Sequence, residues 1–318
     1  MIKRTIYLAQ PAYMHVRNKQ LLIEFLSSSE QNVNENESVK ISHPYQKNGE
    51  NTSIPIEDIG IMFLDHPRIV LSQTVLKGLM DENAVLVNCN DRHLPTGLMI
   101  PMVGHSMLSE VYNNQVSASH QLKGNLWKQI VSSKIFNQAM VLKKFQKPFQ
   151  TLIRYAKSVK SHDAKNCEGS AAYYYWKTLL AEVPDFTRDR DGVWPNSLLN
   201  YGYAILRAVT ARAIVSSGLI AGIGLHHKNK YNPYCLADDV MEAYRPYVDS
   251  LVFSILTEKS GTETDLKECK KLLLTIPAVT VNSGNDTGPL MVMMQRTTSS
   301  LAQCFSGKKR KLHLPLFQ

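Results

Sequence analysis

With 318 residues, 44% of them hydrophobic and 20% charged, the chain has too much apolar material for a disordered protein and enough length for two cores. Its net charge of +9 is unevenly spread. Residues 1–104 carry 9 Lys and Arg against 11 Asp and Glu, whereas residues 105–318 carry 27 against 16. The second part therefore holds the field that attracts a polyanion, with nucleic acid as the leading partner and a merely soluble basic surface as the alternative. The five cysteines are odd in number, widely spaced and form no CxxC pair, which argues against a disulfide framework or a thiolate zinc site. MIKRTIYLAQ is followed by no apolar stretch of a secretory signal. The most apolar helical segment carries Arg207 and Arg212 and is no membrane span. The expected setting is reducing and cytoplasmic, with no membrane partner.

From Ile2 to Phe25 the residues alternate in short β-prone runs broken by Pro11 and by the polar Arg17-Asn18-Lys19 turn, which predicts two or three strands. Residues 27–53, rich in Ser, Asn, Glu and Lys, read as an elaborated hairpin or loop. IGIMFLD, RIVLSQTVLKGLMDEN and AVLVNCN follow as strand, short helix and strand, with Leu71, Val75, Leu76 and Leu79 on one helical face. No GxGxxG or GxxxxGK[ST] loop accompanies them, so this passage is scaffold and not a phosphate cradle. After Pro101 the pattern turns to long helices with lysines on the wet face, beginning with LKGNLWKQIVSSKIFNQAMVLKKF. Residues 196–217, apolar almost all round and preceded by Pro195, form the expected central core helix.

Three segments hold the candidate chemistry. Glu168 opens the helix EGSAAYYYWKTLLAEV, a position that the helix dipole favours for structural reasons alone. His226 and His227 follow the core helix in GLHH and, being adjacent, point in different directions, so one site takes only one of them. Asp239 and Glu242 lie three apart in LADDVMEAYRP and share a helical face, where a solvated acidic face is the ordinary reading and Arg245 is a local partner for Asp239 or a phosphate contact. Together, one His and two or three carboxylates form a ligand set for Mg²⁺ or Mn²⁺ acting on phosphodiesters. Two weaker features remain. The Lys308-Lys309-Arg310-Lys311 tail ahead of LHLPLF either lies along DNA or is a solvated cluster before a packed end. VNSGNDTGP reads as turn chemistry before a last helix, and Trp127, Trp176 and Trp194 read as core.

Glu168-Gly169 with AAYYYW, PNSLLNYGYAILRA, GLHH and LADDVMEAYRPYVD, in that order, resemble the signature blocks of the CRISPR-associated integrase family, which inserts spacers into CRISPR arrays. IKRTIYLAQPAYM and VNCNDRHLPTG look like its type II versions, with subtype C one branch among them. The likeness runs along the whole chain except the polar stretch 27–53. It implies an α+β multidomain protein: a β-sandwich-like dimerisation domain over residues 1–104, then a larger all-α catalytic and DNA-binding domain over residues 105–318. It also implies a metal, Mg²⁺ or Mn²⁺, held by Glu168, His227 and Glu242, with Asp239 an accessory catalytic carboxylate. Implied partners are double-stranded DNA as spacer precursor and repeat, a second copy of the chain, the second CRISPR adaptation protein and, in type II systems, the effector nuclease. Two other functions compete: a stand-alone nuclease of branched DNA using the same site, and a non-catalytic DNA-binding subunit.

Overall fold

The computed structural model describes residues 3–25, 52–91, 93, 95–102, 107–184, 186–189, 192–258 and 266–318. The predicted loop over residues 27–53 lies outside them except for its last two residues. The chain divides into two compact units, Met1–Pro101 and Met102–Gln318, each described here by itself.

The first unit holds two four-stranded sheets. One has the order β1-β5-β7-β8 (Arg4–Leu8, Ile59–Leu64, Val85–Cys89, Pro95–Met99), and the other β4-β3-β2-β6 (Thr52–Pro55, Gln20–Phe25, Ala12–Arg17, Ile69–Leu71). In the first sheet β1, β5 and β7 run parallel. All six residues of β5, IGIMFL, are buried, as its unbroken apolar run requires of a strand covered on both faces. In the second sheet β2 and β3 pair with Arg17 opposite Gln20. Asn18 and Lys19, at φ 50° and 59°, make the two-residue turn that matches the twist of the strands.

Ile6, Met14, Leu21, Ile23, Ile59 and Met62 from both sheets meet Val75 and Leu79 of α1 (Gln73–Asp81) in a single core. Full burial of each such side chain stabilises by roughly 1.5–3 kcal/mol. The predicted short helix begins later than its apolar pattern suggests, because Ile69–Leu71 pairs in parallel with β2 as a strand.

The second unit is built around two long helices, α3 (His120–Lys144) and α6 (Asn196–Ser216). Ser119 caps α3 by accepting the Leu122 N–H at 3.2 Å. Around them pack α2 (Leu108–Val116), α4 (Gln150–Ser158), α5 (Cys167–Leu179), α7 (Cys235–Met241), α8 (Arg245–Glu258), α9 (Leu266–Leu273) and α10 (Leu290–Phe305). Helix α6 is the predicted core helix. A Cβ at its Gly202 would lie 2.5 Å from Cγ1 of Val248, so the absent side chain is what lets α8 close on it.

Two expectations are corrected. The unit is not all-α: Thr280–Ser283 and Asp286–Pro289 pair as an antiparallel hairpin, β9–β10, across the turn that the sequence announced. Nor do all lysines of α3 face water, because Lys134 is buried. The last residues pack along α3, with Asn137 Nδ2 donating to the Pro315 carbonyl at 3.1 Å and accepting the Phe317 N–H through Oδ1 at 3.0 Å. Lys308–Lys311 stay exposed ahead of this packed end. Among the described residues, no helix is long and apolar enough to cross a membrane, and all five cysteines are free.

Candidate active site

Every predicted site residue lies in the second unit. Glu168 stands in the first turn of α5, fixed there by two caps. Asp163 accepts the backbone N–H groups of Cys167 and Glu168 at 2.9 and 2.8 Å, and Asn166, itself left-handed at φ 50°, accepts that of Gly169 at 3.3 Å. Glu242 follows α7 in a single 3₁₀ turn that leads into α8, and its side chain is only 6% exposed. The acidic face expected to be solvated is therefore buried.

These two carboxylates, from separate elements, meet on one ammonium. Lys134 Nζ, from the middle of α3, lies 2.6 Å from Glu168 Oε1 and 2.5 Å from Glu242 Oε2. Burial alone would lower the Lys134 pKa, but Glu242 and Glu168 outweigh it and raise it. Burial would likewise raise that of Glu242, but Arg245 and Lys134 outweigh it and hold the group ionised. Arg245 Nε lies 2.9 Å from Glu242 Oε1, so of its two expected roles, a pair with Asp239 or a phosphate contact, the pairing is corrected: the carboxylate beside it is Glu242. Oε2 of Glu242 is buried without a hydrogen-bond partner despite the nearby ammonium.

Asp239 has a different task. Its fully buried carboxylate accepts the backbone N–H groups of Leu225, His226 and His227 at 2.5, 3.0 and 3.2 Å. It also lies 2.6 Å from His227 Nδ1. The loop needs Gly224, where a Cβ would meet Asp239 Oδ2 at 2.7 Å and the His227 carbonyl oxygen at 2.6 Å. Asp239 thus orients the imidazole and leaves Nε2 as its available nitrogen. The hydrogen bond to Asp239 raises the His227 pKa against the effect of burial, and the charge of Glu242 adds to the rise. His226 turns away and stacks on the fully buried ring of Trp127, with centroids 4.6 Å apart and planes within 1°.

The structure therefore brings Glu168 and Glu242 together through the Lys134 ammonium that both contact, while His227 is held by Asp239 and its charge and that of Glu242 act on each other. Among the described residues no three His, Cys, Asp or Glu side chains already form a group that could hold a metal ion, and Lys134 stands between the two acids. The donor chemistry still fits a hard divalent cation: two converging carboxylates, one with an orphaned oxygen, and an oriented imidazole.

Two basic cavities flank these groups. One, of about 410 Å³, is lined by Arg188, Asn200, Tyr203, Arg207 and Arg245. The guanidinium groups of Arg245 and Arg188 lie 4.5 and 5.3 Å from the centre of the Tyr203 ring. Beneath it Tyr203 donates to buried Asp249, whose pKa burial pushes up to about 6. The other cavity, of about 480 Å³, brings His120, Lys123, Lys228 and Lys230 around His227.

Sequence reasoning missed Lys134, Asp163 and the Tyr203–Asp249 pair. Lys134 had a signal. It lies on the same helical stripe as Trp127, Ile130, Val131 and Val141, all buried, where a lysine must find an acid.

Comparison with known proteins bears on the family and the fold. The family model described as CRISPR associated protein Cas1 matches residues 27–277. A CRISPR-associated endonuclease Cas1 of Neisseria meningitidis serogroup C (strain 8013) is 35% identical over 215 residues, 66% of this chain and 69% of that protein. A casposase solved bound to its integration product superposes with a TM-score of 0.75 at 19% identity, covering 97% of this chain and 92% of that one. A chain of a Cas6-RT-Cas1–Cas2 complex gives 0.69 at 16% identity, covering 98% of this chain and 36% of that one. At these identities the two solved structures speak for the fold.

Proposed function

The chain belongs to the CRISPR-associated Cas1 family, and from that premise we propose that it is a metal-dependent integrase and endonuclease that inserts spacer DNA into a CRISPR array. The observation that carries the reading is the convergence of Glu168 and Glu242 on a single point, in a unit that also holds a His227 oriented by Asp239 and two basic cavities.

Glu168, Glu242 and Nε2 of His227 would hold Mg²⁺ or Mn²⁺, which supplies charge stabilisation at the phosphoryl oxygen and lowers the barrier to attack by an oxygen nucleophile. Asp239 fixes the imidazole and its loop; Arg245 fixes the Glu242 carboxylate. Arg188, Arg207 and Arg245 offer guanidinium donors to backbone phosphates without reading bases. The nucleophile is the 3′-hydroxyl of the incoming DNA end. One phosphodiester forms at the repeat edge as another breaks, and the displaced 3′-hydroxyl leaves with the proton. Because one ester replaces another, the step is close to thermoneutral and runs backwards on branched DNA.

In this reading the second unit is the catalytic and DNA-binding domain, the first a β-sandwich-like dimerisation domain, and the setting cytoplasmic. The partners are a second copy of the chain, the second adaptation protein and, in a type II system, the effector nuclease. The casposase and the Cas1–Cas2 assembly in the comparisons support DNA and a Cas2 partner.

The test is incubation of the protein with its adaptation partner, short duplex DNA, a supercoiled array plasmid and Mn²⁺. Joined product from the parent, and product down about 10²–10³-fold or more in Glu168→Ala, supports the integrase. Cutting of branched DNA without joining supports the stand-alone nuclease instead. Equal product from parent and variant removes Glu168 from the mechanism.

A further inference from the structure

We propose that Lys134 is an internal stand-in for the divalent cation, holding Glu168 and Glu242 together until the metal displaces its ammonium. The inference rests on the metal site proposed above and deepens it.

Lys134 projects from the inward stripe of α3, where packing alone would favour an aliphatic side chain, and its side chain is 10% exposed. Desolvating an ammonium there is costly, and two carboxylates brought close together repel. Each problem is the solution to the other. One Nζ, 2.6 Å from Glu168 and 2.5 Å from Glu242, neutralises both acids and sets their separation. A divalent cation chelated by the same two groups would need much the same position.

The contact on Glu242 leaves that carboxylate with coordinating capacity for a second cation. Lys134 makes a hydrogen bond to Glu168 Oε1. Towards Glu242 it makes an ion pair without hydrogen-bond alignment, and Oε2 keeps an unsatisfied lone pair. Arg245 Nε lies 2.9 Å from the other oxygen of Glu242, a second cation that stays beside that carboxylate whichever ion occupies the first. Like charges exclude each other, so an ammonium and a dication do not share one pair of oxygens. The flexible four-carbon stem of lysine lets the ammonium withdraw, as a guanidinium fork anchored to two acids would not. The site is thereby charge-balanced before metal arrives, and metal affinity is set by exchange against a built-in competitor.

The test measures free Mn²⁺ by electron paramagnetic resonance during titration of the DNA-free protein, together with thermal unfolding with and without Mn²⁺. Lys134→Met is expected to unfold at a lower temperature without metal and to bind Mn²⁺ roughly tenfold more tightly, within the usual range of coupling between sites. Mn²⁺ should raise its unfolding temperature by more than it does in the parent. Lys134→Arg, which keeps a charge that can bridge both acids, should keep its metal-free stability and bind Mn²⁺ more weakly. If the methionine variant does not fold, Lys134→Gln carries the same expectations.

Unchanged or weaker Mn²⁺ binding by the uncharged variant, with binding lost in Glu168→Ala, overturns the stand-in while leaving the metal site intact. Mn²⁺ binding that is absent from the parent, or indifferent to Glu168→Ala, overturns the metal site and this inference with it.

Discussion

The two units differ in what they bury. Among the described residues of the first, Asp65 is the one buried charged side chain, held by Tyr7 and by His93 Nδ1 at 2.8 Å, in a core otherwise filled by aliphatic residues and Phe63. The second buries Lys134, Asp163, Asp238, Asp239, Glu242, Asp249 and Lys270. Isolated charges are costly to bury, so a unit that inters several around one region gives up stability that apolar packing would supply. The first unit is thus organised as a scaffold, and the second carries its strain where its chemistry is. That contrast can be broken at specific residues.

The largest effect is expected at the acids that meet on Lys134. Glu242→Ala leaves Lys134 and Arg245 facing no carboxylate from that side, and strand transfer should fall by about 10²–10³-fold or more, measured as joined product per unit time. Met14→Ala in the first unit opens a cavity beneath both sheets and should cost about 2–5 kcal/mol in denaturant unfolding. The same variant should leave Mn²⁺ affinity untouched. A matching loss of affinity would show that the scaffold and the site are not separable in this way.

Asp249 sharpens the comparison through pH. Burial raises its pKa from 3.8 to about 6, so the folded protein takes up a proton before the unfolded chain does. The stabilisation from that proton is complete below about 4, where both states are protonated to the same extent, and is lost as pH rises through 6. The difference amounts to roughly 3 kcal/mol at 1.36 kcal/mol per pKa unit. Asp249→Asn, which keeps a polar partner for Tyr203, should flatten the stability profile between pH 4 and 7. An unaltered slope would assign that titration to another group. Asp239→Asn should act more gently on the chemistry, weakening Mn²⁺ binding by about 10–100-fold through loss of imidazole orientation, with Asp239→Glu as a second measure of how tightly the loop holds its place.

The same division explains what was legible in the sequence. The apolar run of β5, the Asn18-Lys19 turn and the all-round hydrophobic α6 are local patterns, and they fold as read. The hairpin β9–β10 was visible only as its turn, because four-residue strands carry little alternation. Glu168, His227 and Glu242 are individually unremarkable, and their ordered blocks, not their chemistry in isolation, single them out as candidates. The burial of Asp239 and Glu242 could not be read from an i, i+3 spacing that suits a wet helix face equally well. Tyr203 and Asp249, 46 residues apart, carry no mutual signal in one sequence. Lys134 did carry one, as a cation on an apolar stripe, but its two acids lie 34 and 108 residues further along the chain and only the fold brings them to it.

The most direct measurement is anomalous X-ray diffraction from crystals of the parent protein soaked in Mn²⁺. A peak bounded by the carboxylates of Glu168 and Glu242 and by Nε2 of His227, with the Lys134 ammonium drawn back, is the predicted result. Crystals that take up Mn²⁺ elsewhere, while Lys134 still bridges the two acids, would contradict it.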